Sequence, residues 1–185
     1  MKMPLNQLKN RTELGQWLNA NYLTGPMAEI GVAFGGYSRE VLQEWKGREY
    51  VMVDPWAKQP KEVYKEKTDN IPYDTWHQMC VDLAKEDERV SIICDYSERV
   101  APMFPNGYFD CVYIDGNHSY EAFAVDVELW WPKVRPGGLF CGHDCYNATT
   151  DGHYCEVLKV MEEWRERTGN KFLVMECSSW WVIKP

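Results

Sequence analysis

Six polar residues stand where short apolar runs give out: Glu29, Asp54, Asp95, Asp115, His143 and Asp144. Carboxylates and imidazoles in such places can bind cations, accept protons or ligate metals. The first belongs to Glu29-Ile-Gly31-Val-Ala33-Phe-Gly35-Gly36-Tyr-Ser38. Glycines after a strand let a ligand approach the backbone, and a helix opening near Ser38 offers free N–H groups. A bare Gly-rich turn is shared by dinucleotide enzymes, so it discriminates little. Glu29, two positions ahead of Gly31, discriminates more. Its carboxylate opposes a pyrophosphate and suits a cationic ligand such as an aminoacyl sulfonium. Without a ligand, the same segment is a tight turn with a solvated Glu.

Asp54 follows Gly31 by 23 residues. Roughly 20 residues on is where a carboxylate holds the ribose hydroxyls of an adenosine cofactor. The alternative is a helix or turn cap. Trp56 beside it can wall the ribose or simply pack. In Asp95-Tyr96-Ser97, the carboxylate can accept from an exocyclic amine and Ser97 can donate to a ring nitrogen. Asp95 can equally cap the next helix. The last two segments are Asp115-Gly-Asn-His118-Ser-Tyr-Glu121 and Gly137-Gly-Leu-Phe-Cys-Gly-His143-Asp144. Cys141, His143, Cys145, His153 and Cys155 form a soft-ligand group, but they lack the usual CxxC spacing of structural zinc.

These residues need elements to place them, and the hydrophobic periodicity supplies a set. Strands are predicted at 27–32, 50–54, 90–94, 109–114 and 138–142. Helices are predicted over 5–22, from near 38, and over 72–85, 119–131 and 155–167. The 72–85 helix is expected to bury Trp76, Met79, Cys80 and Leu83 on one face. Residues 172–176 and 180–183 read as a closing β-hairpin. Segment 55–70 is a polar surface loop, of which 58–69 can gate a substrate or merely be solvated. Strands alternating with helices imply a Rossmann-like, doubly wound α/β fold with a mostly parallel sheet covered on both faces. Ligands in such sheets bind beyond the carboxyl ends of the strands. The six polar residues that end the apolar runs all fall there.

Composition sets outer bounds. The chain has 185 residues with 45% hydrophobic and 26% charged, enough for one domain with a sizeable core. Its net charge of -8 disfavours a broad nucleic-acid footprint. No apolar run is long enough for a membrane span, and the N-terminus lacks a signal-peptide core, so a cytoplasmic protein is expected. Seven cysteines without a CxxC pair read as reduced, buried thiols. The pairs Trp130–Trp131 and Trp180–Trp181 read as core.

Taken in order, E-I-G-x-A-x-G-G-x-S, V-D-P-W, Y-I-D-G-N-H-S-Y-E and P-G-G-L-F-x-G-H-D resemble class I S-adenosylmethionine-dependent methyltransferases. The resemblance is narrower to a small-domain group with I-D-G-x-H-S-Y and G-H-D, and covers about residues 25–147. It implies a seven-stranded sheet with an antiparallel last pair, in one domain over 1–185 with an N-terminal helix in 1–24 and a core over 25–185. It also implies cofactor contacts at Glu29, Gly31, Asp54, Asp95 and around Asp115. Ala33, Gly35, Ser38, Trp56, Tyr96 and Ser97 complete the expected cofactor set. Ala33 departs from the Gly of many relatives, and Cys145 stands where an aromatic is expected.

Methyl transfer needs proximity, orientation and a nucleophile freed of its proton. His118 or His143 can serve as base, with Asp115 beside them. Alternatively Asp115 and Asp144, with His143 or His118, can hold Mg2+ or another divalent cation, as carboxylates at these strand ends do in related metal-dependent O-methyltransferases. The expected acceptor is the hydroxyl of a small molecule, of sugar or phenol type. Glycine-asparagine after Asp115, where a DPPY-like tetrad would sit, and the acidic charge oppose nucleic-acid methylation. Oligomeric state is open, a homodimer included. Two other readings stand beside this one: a non-catalytic S-adenosylmethionine-binding protein and an NAD-dependent oxidoreductase, the latter opposed by Glu29.

Overall fold

The computed structural model describes residues 3–4, 7–60, 70–150 and 153–185. Five strands run parallel: β1 (Pro26–Ile30), β2 (Glu49–Val53), β3 (Val90–Ile93), β4 (Phe109–Ile114) and β5 (Val134–Gly142). Two more close the sheet antiparallel, β8 (Leu173–Val174) and β9 (Trp180–Ile183), in the order β3-β2-β1-β4-β5-β9-β8. This is the predicted seven-stranded architecture, tail hairpin included. A small separate hairpin, β6 (Ala148–Thr150) with β7 (His153–Cys155), was not foreseen.

Strand residues alternate between the two faces with period two. Met27, Tyr50, Met52, Cys111, Tyr113, Leu139, Cys141 and Trp181 belong to one core cluster, shared with α1 (Leu14–Ala20), α2 (Gly36–Glu44) and α3 (Tyr73–Glu86). Ala28, Ile30, Val51, Val53, Val112, Ile114, Phe140 and Trp180 belong to the other, shared with α4 (Ser97–Val100), α5 (Tyr120–Trp130) and α6 (Val157–Thr168). Trp180 and Trp181 are fully buried on opposite faces, so that pair is core. All seven thiols are free, and only Cys94 and Cys177 are exposed.

Two boundaries and one buried face differ for physical reasons. The N-terminal helix predicted over 5–22 is shorter: a 3-10 turn at Arg11–Glu13 leads into α1 at Leu14. Asn10 ends the preceding segment by accepting from the Thr12 N–H, while Glu13 accepts from the Lys9 N–H, together a capping signal. β1 stops at Ile30 because Gly31 turns to φ +83°. Met79 is 42% exposed, so α3 buries a narrower stripe than predicted. Most of the expected gating segment, 61–69, lies outside the described residues, as do the predicted helix start at residue 5 and any side-chain placement of His153.

Candidate active site

The chain lays down β1, β2 and β3 in one direction and then returns to place β4 on the other side of β1. Open α/β sheets bind ligands at such a reversal. A cleft of about 870 Å³ opens there. Its walls come from Gly31 and Ala33, Asp54 and Pro55, Tyr96 to Arg99, Asp115 to Asn117, and Val125 and Asp126 on α5. Six of the predicted site residues therefore line it: Gly31, Ala33, Asp54, Tyr96, Ser97 and Asp115.

Gly31 sits where the β1 turn meets the β4 turn. A Cβ there would lie 2.3 Å from the Asp115 carbonyl oxygen and 2.4 Å from Gly116 Cα. Asp54 holds the rest of the turn. Its Oδ2 accepts from the Val32 and Ala33 N–H groups at 2.9 and 3.1 Å, and its Oδ1 from the Trp56 N–H at 2.7 Å. Burial pushes the Asp54 carboxyl up against these bonds. A carboxylate accepts about four hydrogen bonds, so three from the backbone leave room for about one from a ligand. Ala33 and Trp56 both adopt positive φ, +53° and +40°, and are pinned to each other by an indole N–H to carbonyl bond of 2.7 Å. Trp56 also lies against the His77 ring at 4.8 Å and is buried outside the cleft wall. It packs; it does not wall the cleft.

Glu29 and Ser38 are placed beneath the turn, outside the cleft lining, with Glu29 1% exposed. Ser38 Oγ and Tyr50 OH both donate to Glu29 Oε2, at 2.5 and 2.6 Å. Burial outweighs these bonds and pushes the Glu29 carboxyl up to about 8. The expected direct contact with a cationic ligand is thus replaced by a buried hydrogen-bonded acid under the turn. Gly35, with φ +76°, caps α2 and also lies off the cleft wall. Asp95 lies off the cleft wall and does not cap α4, whose N-cap is Tyr96; its Oδ1 accepts from the Tyr96 N–H and pairs with Arg99 at 3.4 Å.

At the ends of β4 and β5 a second group forms. The expected metal set is Asp115 and Asp144 with His143 foremost, or His118 in its place. The trio that converges is Asp115, His118 and Asp144, whose ligand atoms all lie within 4.8 Å of one another. His118 Nε2 is 3.4 Å from Asp115 Oδ1 and 3.4 Å from Asp144 Oδ2. His143 binds the other oxygen of Asp144 through Nδ1, at 2.9 Å, and so stands outside the trio. Burial disfavours the charged His143 ring, but the Asp144 bond and the Asp115 charge prevail and raise its pKa. Asp144 is held low, chiefly by His143 against the cost of burial. Among the described residues no other set of three or more His, Cys, Asp or Glu is arranged for a metal, so the soft-ligand group of Cys141, Cys145 and Cys155 does not assemble.

Two participants were not anticipated. Arg11, from the N-terminal segment, reaches Asp115 Oδ2 at 3.1 Å and lies over the Tyr37 ring at 5.1 Å. Asp126, 5% exposed, lines the cleft from α5; Ser97 Oγ donates to its Oδ1 and Trp130 Nε1 donates to Ser97 at 2.7 Å. An aspartate on the apolar side of a helix, three residues after Phe123 and four before Trp130, was the available signal.

Residues 28–145 match the family model described as a methyltransferase domain. No curated protein matches the chain by sequence. Among solved structures, the O-methyltransferase NovP is similar, with a TM-score of 0.67 at 16% identity over 97% of this chain and 80% of that one. A Staphylococcus aureus protein named as a caffeoyl-CoA O-methyltransferase gives 0.66 at 14% identity, covering 95% of this chain and 82% of that one. A Klebsiella pneumoniae protein named as an O-methyltransferase gives 0.60 at 14%, covering 99% and 82%. At such identities the structural likeness carries the fold alone, and the family model carries the rest. With the turn, the strand order and the cleft in place, the match over 28–145 means that the chain belongs to the methyltransferase-domain family and is a class I S-adenosylmethionine-dependent methyltransferase.

Proposed function

We propose that this methyltransferase, one domain over 1–185, acts on a hydroxyl oxygen of a small molecule, of sugar or phenol type, with the aid of a divalent cation. The observation that supports it is the convergence of Asp115, His118 and Asp144 beside the cleft. Three of the structural neighbours bear the name O-methyltransferase, which favours oxygen as acceptor. S-adenosylmethionine supplies a methyl group on a cationic sulfur, a good leaving group, and the cleft has space and polar lining for it. Gly31 and Ala33 would offer the backbone, Asp54 one remaining acceptor site to the ribose, and Ser97 a hydroxyl deeper in the cleft.

What the residues must still do is take the acceptor's proton. Two carboxylates flanking one imidazole nitrogen favour a cation between them. A divalent ion held by Asp115, His118 and Asp144 would acidify a hydroxyl. One imidazole with two carboxylates suits Mn2+ or Zn2+, while the oxygens alone suit Mg2+. His118 itself is the alternative base. Among the described residues no helix is long and apolar enough to cross a membrane.

Formation of S-adenosylhomocysteine over a panel of phenols and sugars tests this. Turnover should fall to background with a chelator and return with Mg2+ or Mn2+. If turnover ignores the chelator but vanishes in His118→Ala, the imidazole is the base and the ion is dispensable. Tight cofactor binding with no turnover on any acceptor would favour a non-catalytic binding role instead.

The ribose role of Asp54 has its own test. Asp54→Ala should weaken S-adenosylhomocysteine binding by about 1.5–3 kcal/mol, the scale of hydrogen bonds to a charged group. Calorimetry showing wild-type affinity in the variant would remove Asp54 from the site.

A further inference from the structure

The group of Asp115, His118 and Asp144 has a cation beside it, brought from 104 positions earlier in the chain. Arg11 Nη1 lies 3.1 Å from Asp115 Oδ2, while His118 Nε2 faces Oδ1 of the same carboxylate at 3.4 Å. A guanidinium is always charged in a protein. This one is firmly placed. The Arg11 carbonyl accepts from the Tyr37 hydroxyl at 3.2 Å, and the guanidinium lies over the same ring, 5.1 Å from its centroid. That ring packs in turn against the fully buried Tyr113, at 4.4 Å. On either side of Arg11 the chain is anchored by Leu8 and Leu14, both buried in the core. The positive charge also reaches Asp144 and His143.

Charge decides what this means for a divalent ion. Asp115 and Asp144 carry two negative charges, and Arg11 offsets one of them. An ion held by Asp115, His118 and Asp144 would face the guanidinium across a single carboxylate, a like charge at close range in a half-buried site. Asp115 would have to divide its charge between the two. A neutral donor behind a ligating carboxylate orients it and strengthens a metal site. A cationic donor opposes the ion that the carboxylate holds. We infer that Arg11 is the rival of the divalent cation for Asp115, so that the N-terminal segment sets how tightly the site binds its ion. The coupling is reciprocal: an ion that binds less tightly because of Arg11 loosens Arg11 from Asp115 by the same factor. The inference rests on the divalent-ion reading proposed above and not on the choice of acceptor.

Mn2+ alone, titrated by calorimetry into the full chain, reads it. Arg11→Gln should bind Mn2+ about 5–150-fold more tightly than the wild type, the usual range of a coupling between two sites. Arg11→Lys keeps the charge and should stay close to the wild type. Saturating Mn2+ should also raise the melting temperature of Arg11→Gln by more than that of the wild type, because stabilisation by a ligand grows with its affinity. A residue that only shapes the N-terminal segment would not separate the two variants by their charge. Weaker Mn2+ binding in Arg11→Gln would overturn the inference and make Arg11 a support of the site. Equal affinity in Arg11→Gln and the wild type would overturn it as well. So would an Arg11→Lys variant that gains as much as Arg11→Gln, since charge would then not be the cause. If neither the wild type nor Arg11→Gln binds Mn2+, the divalent-ion reading itself falls, and the inference with it.

Discussion

Gly31→Ala is expected to lose about 3–5 kcal/mol of stability and, with it, S-adenosylhomocysteine binding. Two terms add. The backbone at φ +83° lies in the left-handed region, where a Cβ is strained. The Cβ would also press against the Asp115 carbonyl oxygen at 2.3 Å and Gly116 Cα at 2.4 Å. Both obstacles are backbone, so neither can swing aside as a side chain would. The β1 and β4 turns, which meet at Gly31 and both line the cleft, would have to part. Against a usual total stability of about 5–15 kcal/mol, the melting temperature should fall by roughly 10–15 °C. Gly169→Ala is the control: φ there is +74°, and nothing lies within 4 Å of the added Cβ. It carries the strain without the collision and should cost about 1 kcal/mol. Equal melting temperatures for the two variants would show that the turns can separate freely, and the account of their contact at Gly31 would be wrong.

The elements around the cleft are legible because their signals are local. Strands β1 to β5 announce themselves as short apolar runs ended by a polar residue, and the tail hairpin by its two apolar arms. Those features follow from burial on both faces of a sheet, which acts on each strand separately. What could not be read was set by contacts between distant segments. The sequence offers both His143 and His118 as third ligand to Asp115 and Asp144, and spacing alone does not choose between them. In space the turn after β4 brings His118 between the two carboxylates, and Asp144, at φ +55°, turns to meet it. Arg11 escaped notice for the same reason, being 104 positions from its partner Asp115. Asp126 escaped because an acid in a helix ordinarily faces water, and only the depth of the cleft reveals its burial. The N-terminal helix was overextended although Asn10 and Glu13 spelled its start. There the signal was present and was outvoted by the spacing of leucines.

Glu29 gives the other large expectation, and its sign follows from burial. A carboxyl at about 8 in the folded chain, against 4.5 in an ordinary setting, binds its proton more tightly folded than unfolded. Such a group contributes stability that is fully present below about pH 4.5 and lost as pH rises to about 8. The loss is on the order of a few kcal/mol, the free energy of a shift of this size. Asp126, at about 7, acts with the same sign over much of this window, so the wild-type curve alone cannot apportion the effect. The variant Glu29→Gln can. Its side-chain oxygen can accept the Ser38 and Tyr50 hydroxyls as Oε2 does, and it cannot titrate. At pH 5.5 the variant should lie within about 1 kcal/mol of wild type, because a neutral amide replaces a neutral acid of the same shape. At pH 8.5 the wild type must hold a charge beneath the cofactor turn, and the variant should be the more stable of the two. Denaturant melts at both pH values measure the difference directly. If the gap between the two proteins is the same at pH 5.5 and 8.5, Glu29 is ionised throughout. It would then be a buried carboxylate held by its two hydroxyl donors, and the acid form would have no part in the fold.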